Sequence, residues 1–191
     1  MNEANAPIEI VVPPSTIFSE HPAVVVDLCC GTGAIGVAAA DGFPEVELHA
    51  ADLDPDAVRC ARMNVRAGEV HEGDLYDALP PALRGRVDLL LVNAPYVPTD
   101  EIRLMPPEAR LHEHHVALDG GHDGLDLHRR TAAGAPEWLA PGGSLLLETS
   151  PRQAAETARS CVESGLETHV LGDDPVRVVR AISSRSARLA E

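Results

Sequence analysis

The stretch Asp27-Leu28-Cys29-Cys30-Gly31-Thr32-Gly33 closes a compact apolar run, and its glycines Gly31 and Gly33 let a backbone turn tightly and approach a ligand without Cβ interference. By itself such a turn also serves plain strand-to-helix packing. Asp52 stands about 20 residues further on, at the end of a second apolar run, where a carboxylate can accept hydrogen bonds from both hydroxyls of a ribose. Loop and acid together specify an adenosine-containing cofactor. Asp54 is better placed than Asp52 to cap the helix that follows, which leaves Asp52 for the ribose. Asp74, after a third run, could accept from an adenine amino group or be an ordinary turn aspartate.

With Gly36 beyond Gly31 and Gly33, a nicotinamide or flavin cofactor is conceivable, and Asn93-Ala94-Pro95-Tyr96 argues against it. At a strand end, an Asn side-chain oxygen and a nearby backbone carbonyl can both accept from one planar NH2 group, while Pro95 and Tyr96 bound its faces. That arrangement aims a nitrogen lone pair at a methyl donor.

These residues need a scaffold that brings strand ends together. Ala23 to Leu28, Val46 to Ala51, a short segment centred on Val70, Val87 to Val92, Ser144 to Glu148, Leu166 to Leu171 and Val176 to Ile182 read as strands. Ala34 to Ala40, Pro55 to Arg66, Asp77 to Leu83, Asp123 to Leu139 and Arg152 to Ser164 read as helices. Pro141-Gly142-Gly143 is expected to turn into the fifth strand, and Asn93 to Gly121 to be a long functional loop. The expected fold is α/β: a doubly wound, mostly parallel seven-stranded sheet. Gly172-Asp173-Asp174-Pro175 is too short for a crossover, so one strand near the C-terminus must run antiparallel. In open sheets of this kind ligands sit beyond the carboxyl ends of the strands, where all the candidates fall.

The expected division is a short N-terminal remnant over 1–22, a single domain over 23–182 and a frayed tail over 183–191. The core must come from Val, Leu, Ile and Ala, since the chain holds one Trp, two Tyr and two Phe. All fifteen positive side chains are Arg and the net charge is −15, which disfavours broad contact with nucleic acid. An Arg59, Arg62 and Arg66 stripe is the one local exception to weigh against a solvated helix face. Cys29, Cys30, Cys60 and Cys161 show neither CxxC nor metal-like spacing, which fits a reducing, cytoplasmic location. No secretory or membrane-spanning segment is expected. His112, Glu113, His114, His115, His122 and His128 are irregularly spaced, so solvated histidines are favoured over a metal site. Glu108 and Arg110 could contact a substrate or pair with each other, and Trp138 reads as a core anchor.

Taken together, Val24 to Gly36, Asp52, Gly73-Asp74-Leu75, Asn93-Ala94-Pro95-Tyr96, Leu118-Asp119-Gly120-Gly121 with Asp123-Gly124-Leu125, and Leu139 to Glu148 resemble the release-factor glutamine methyltransferases. The resemblance implies a Rossmann-like class I fold, S-adenosyl-L-methionine as cofactor, and a Gln side-chain amide in the Gly-Gly-Gln loop of a peptide chain release factor as methyl acceptor. It places Asp27, Gly31 and Gly33 at the methionine portion, Asp52 at the ribose, and Asp74 and Leu75 at the adenine. Cys29 belongs to the same cofactor loop, with its thiol expected to be structural. Asn93 and the Ala94 carbonyl would grip the amide beside the cofactor, with Pro95 and Tyr96 shaping the slot.

The sequence departs from the family pattern in three places. Asn-Ala-Pro-Tyr replaces Asn-Pro-Pro-Tyr, which a backbone role for residue 94 tolerates. Cys29 replaces the first glycine of the loop. The family's N-terminal helical domain is expected to be lacking, with Ile8 to Pro22 read as the segment that leads into the first strand. Two other readings stay open on the residues alone: an adenine amino methyltransferase acting on nucleic acid, and a non-catalytic binding module with the same fold.

Overall fold

The computed structural model describes residues 21–104, 119–172 and 175–184. Seven strands form one sheet in the order β3-β2-β1-β4-β5-β7-β6. They are β1 (Ala23–Leu28), β2 (Val46–Asp52), β3 (Gly68–Glu72), β4 (Val87–Val92), β5 (Leu139–Thr149), β6 (Leu166–Leu171) and β7 (Arg177–Ser183). β1 to β5 pair in parallel, and β7 runs antiparallel to both β5 and β6. Four helices cover the sheet: α1 (Ala34–Ala40), α2 (Pro55–Asn64), α3 (Asp126–Trp138) and α4 (Ala154–Glu163). The doubly wound, mostly parallel sheet expected from the sequence is therefore present.

Every residue of β1 is buried, as its uninterrupted apolar run requires of a central strand covered on both faces. Alternation along the strands divides the core in two. Val25, Leu48, Ala50, Leu89 and Leu91 pack with Ala39 and Ala61 on the α1–α2 side. Val26, Leu28, Leu90, Leu145 and Leu147 pack with Ala132, Ala135 and Trp138 on the α3–α4 side. Trp138 is a core anchor as expected: its ring stacks on Tyr76 with centroids 5.6 Å apart, and the Arg84 guanidinium lies 5.2 Å above it.

Several boundaries differ from the sequence reading. The helix expected over Asp77 to Leu83 is instead two 3-10 turns, Leu75–Ala78 and Pro81–Leu83, because Pro80 and Pro81 interrupt any continuous backbone ladder. α2 ends at Asn64, so Arg66 lies outside the helix, while Arg59 pairs with Asp56 at 2.6 Å. The basic stripe is thereby broken. α3 starts at Asp126 rather than Asp123, because Gly124 takes a left-handed φ of 78°. β5 starts at Leu139, before the expected turn. Pro141 to Gly143 are absorbed as an irregularity in pairing between Val87 and Leu89, with Gly142 at φ 77°. The long loop includes a 3-10 turn, Thr99–Leu104. β7 reaches Ser183, the first residue of the expected tail. Glu108, Arg110 and the His112 to His115 run lie outside the described residues.

Candidate active site

A cavity of about 360 Å³ opens beyond the carboxyl ends of β1 to β4, lined by Cys29, Gly31, Asp52, Asp74, Leu75, Asn93 and Pro95 among others. Seven of the residues singled out from the sequence thus meet at one place. Ile35, Leu53, Ala57 and Leu127 complete it with apolar surface, and nothing in their local sequence marked them. An apolar slot with carboxylates at its edge suits a heterocycle joined to a diol.

Asp52 is held from both sides: Gly31 N–H donates to Oδ2 at 2.8 Å and Asp54 N–H to Oδ1 at 2.9 Å. Each carboxylate oxygen keeps further acceptor capacity, so the group is oriented and still able to receive hydroxyl donors. Asp54 caps α2 through the Asp56 N–H at 2.8 Å. Asp74 is shared, since its Oδ2 accepts from Arg130 at 2.8 Å.

Two of the cofactor candidates, like Ala94 and Tyr96, do not line the cavity. Asp27 is 1% exposed, and its Oδ2 accepts the Gly36 N–H at 2.9 Å, pinning the first turns of α1 behind the loop. Burial, opposed in part by that hydrogen bond, pushes its carboxyl up to about 7, with Asp52 adding to the rise. Gly33, at φ 76°, packs where a Cβ would meet Val65 of the α2 cap. Both residues shape the loop from behind it.

Cys29 and Leu75 are the only non-glycine residues with positive φ among the described residues, at 55° and 49°, and both line the cavity. Cys29 sits where the family pattern has glycine, so the left-handed backbone that glycine would adopt freely is kept by a side chain at a cost of about 1 kcal/mol. Burial pushes its thiol up to about 12, which keeps it protonated and fits a structural role.

Asn93 stands exposed at the end of β4 and lines a second cavity of about 200 Å³, whose other walls include Ile35, Leu91, Leu146, Val178 and Glu148. Glu148 is the only titratable side chain in that wall, and burial holds its carboxyl above the ordinary value. The sequence showed it only as the last residue of an apolar strand. Ala94 is buried, and Pro95 and Tyr96 are half-buried.

The Tyr96 backbone is anchored by residues far away in sequence. Gln153 donates to its carbonyl at 2.8 Å and to the Asp123 carbonyl at 3.2 Å. Gly120 N–H donates to the Val97 carbonyl at 2.9 Å, and Thr99 Oγ1 to Asp119 at 2.7 Å. A Cβ at Gly124 would run into the Tyr96 carbonyl and the Gln153 side chain. The Asp119 to Leu125 segment therefore works as the buttress of the Asn93 loop. Sequence reasoning missed Gln153, for which no local signal exists. His128, which the sequence offered for a metal only as the weaker reading, is fully buried with its Nδ1 3.0 Å from Thr157 Oγ1, and burial lowers it to about 4.

Residues 15–113, just over half of the 191-residue chain, match the family described as methyltransferase small domain, and the chain belongs to it. A release factor glutamine methyltransferase of Geobacter sulfurreducens is 34% identical over 181 residues, covering 93% of this chain and 63% of that protein. A ribosomal protein uL3 glutamine methyltransferase of Bradyrhizobium diazoefficiens is 39% identical over 140 residues, covering 68% of this chain and 42% of that protein. The chain spans between 42% and 63% of the length of these relatives. A methyltransferase from Pyrococcus furiosus superposes with a TM-score of 0.63 at 15% identity, over 86% of this chain and 76% of that one, which shows a shared fold.

Proposed function

We propose that the chain is an S-adenosyl-L-methionine-dependent methyltransferase acting on the side-chain amide of a protein glutamine. The observation that carries this reading is the position of Asn93, which lines both cavities. A donor held in one and an acceptor reaching in beside the other would meet there. The larger cavity fits the cofactor: Asp52 would take the ribose, Leu75, Ile35 and Leu53 the apolar faces of the adenine with Asp74 at its edge, and the Cys29 to Gly33 backbone the methionine portion. Bound there, S-adenosyl-L-methionine would supply an electrophilic methyl on a sulfonium.

An amide nitrogen is a poor nucleophile because its lone pair is delocalised, so the residues around it must align it and support the positive charge it gains. Asn93 Oδ1 and the Ala94 carbonyl would each accept one amide N–H. Pro95 and Tyr96 would bound the plane of the amide. Methyl transfer to the aligned nitrogen would leave it carrying a proton that it could shed to solvent. No strong base is required; His128, whose ring centre lies 6.3 Å from that of Tyr96, is fully buried behind it.

Of the three readings open at the start, glutamine methylation is favoured over adenine chemistry by the acidic surface and the loss of the Arg stripe. It is favoured over a non-catalytic module by the oriented Asp52 and exposed Asn93. The two relatives differ in protein substrate and share the acceptor group, which supports the amide more firmly than either partner. The domain is proposed to span 23–182, with the protein working in the cytoplasm. Among the described residues no helix is long and apolar enough to cross a membrane.

The test is mass spectrometry of a purified release factor incubated with the chain and S-adenosyl-L-methionine. One added methyl on the Gln of its Gly-Gly-Gln peptide is expected. An unmodified release factor together with a methylated nucleic acid would overturn the reading.

A further inference from the structure

At the β2–β3 edge, outside both cavities, strand pairing sets His49 beside Glu69 and Ala51 beside His71. Alternation places His49, Glu69 and His71 on one face of the sheet, opposite the face on which Leu48, Ala50 and Val70 meet α1 and α2. His49 Nδ1 lies 3.0 Å from His71 Nε2, and Glu69 Oε2 lies 4.0 Å from the first nitrogen and 3.9 Å from the second. A point about 2.1 Å from all three atoms exists at the centre of that triangle, which is the distance at which imidazole nitrogen and carboxylate oxygen bind zinc.

A second, independent arrangement prepares the ligands. His49 Nε2 is 3.2 Å from Glu47 Oε1, and Arg86 donates to the other oxygen of Glu47 at 2.8 Å. With its Nε2 proton given to this anchored carboxylate, His49 turns its Nδ1 lone pair toward the cluster. An outer carboxylate of this kind commonly fixes the tautomer of a metal-ligating histidine. His71, whose side chain is 17% exposed, and Glu69, 69% exposed, leave a path in from solvent.

We propose that His49 Nδ1, His71 Nε2 and the Glu69 carboxylate bind a divalent transition metal of the zinc type, with water as the fourth ligand. On binding, the His71 proton moves to Nδ1, and the ion replaces the hydrogen bond now joining the two rings. The ion would tie β3 to β2, whose ends carry Asp74 and Asp52, so its role is to brace the cofactor cavity rather than to act on substrate.

The test uses the tag-free chain, stripped with a chelator and titrated with zinc chloride by calorimetry, with thermal unfolding followed in parallel. Saturable binding at one ion per chain and a rise in melting temperature are expected. His71→Ala should weaken binding by at least about tenfold and abolish the rise. Glu69→Gln, a surface change that leaves the core untouched, should weaken binding less and still measurably. Absence of stoichiometric zinc binding by the unaltered chain overturns the proposal. So does binding that both variants retain at full affinity, which would locate the ion elsewhere.

Discussion

The Asp52 carboxylate accepts the Gly31 N–H at 2.8 Å, linking the end of β2 to the turn that follows β1. One side chain thereby orients the loop expected to cradle the methionine portion and presents the acceptors expected to hold the ribose. Asp52→Ala should accordingly lower cofactor affinity by on the order of 100-fold, the combined loss of charged hydrogen bonds and loop order. Calorimetric titration with S-adenosyl-L-homocysteine measures this. An affinity within twofold of the unaltered chain would remove Asp52 from the site.

Asp27 gives a pH signature. Its folded carboxyl is raised to about 7, above its unfolded value, so its contribution to stability is full below about pH 4 and is lost as pH rises through 7, by up to about 4 kcal/mol. His128 acts oppositely, since it is lowered to about 4 and costs stability as pH falls from 6.5 toward 4. Comparison with Asp27→Asn isolates the first effect, because the amide oxygen can still accept from Gly36. The variant's advantage over the unaltered chain in urea denaturation should be smallest near pH 4 and widen steadily up to pH 8. Parallel stability profiles would show that Asp27 is ionised without cost.

Gly124 offers a test of the buttress. Ala at this position would be strained at φ 78° and would collide with the Tyr96 carbonyl and Gln153. The Asn93 loop should shift while the cofactor cavity stays in place. Gly124→Ala is expected to cut kcat by at least about tenfold with cofactor affinity within about threefold, since small misplacements are costly in group transfer. Equal losses in both would mean that the segment supports the whole fold instead.

The sheet was legible because β1 and the part of β4 after Asp88 are compact apolar runs and the turns between elements carry Gly and Pro. Proline pairs and a glycine start defeated the helix ends near Pro80 and Gly124, where backbone constraints override periodicity. The strand ends Asp52, Asp74 and Asn93 were legible because a parallel sheet gathers them whatever the details of packing. Gln153 was not, because it reaches Tyr96 across 57 residues through a contact that no local pattern encodes. The same holds for His49 and His71, whose proximity arises from strand register.

The central claim is that Asn93 presents a planar amide to the methyl donor. Transfer of label from methyl-labelled S-adenosyl-L-methionine to a release factor, run beside cofactor titration for the unaltered chain and Asn93→Ala, tests it most directly. The prediction is protease-sensitive label on the release factor that the variant fails to produce while binding cofactor nearly as well. Label transfer by Asn93→Ala at the unaltered rate, or loss of cofactor binding together with turnover, would contradict it.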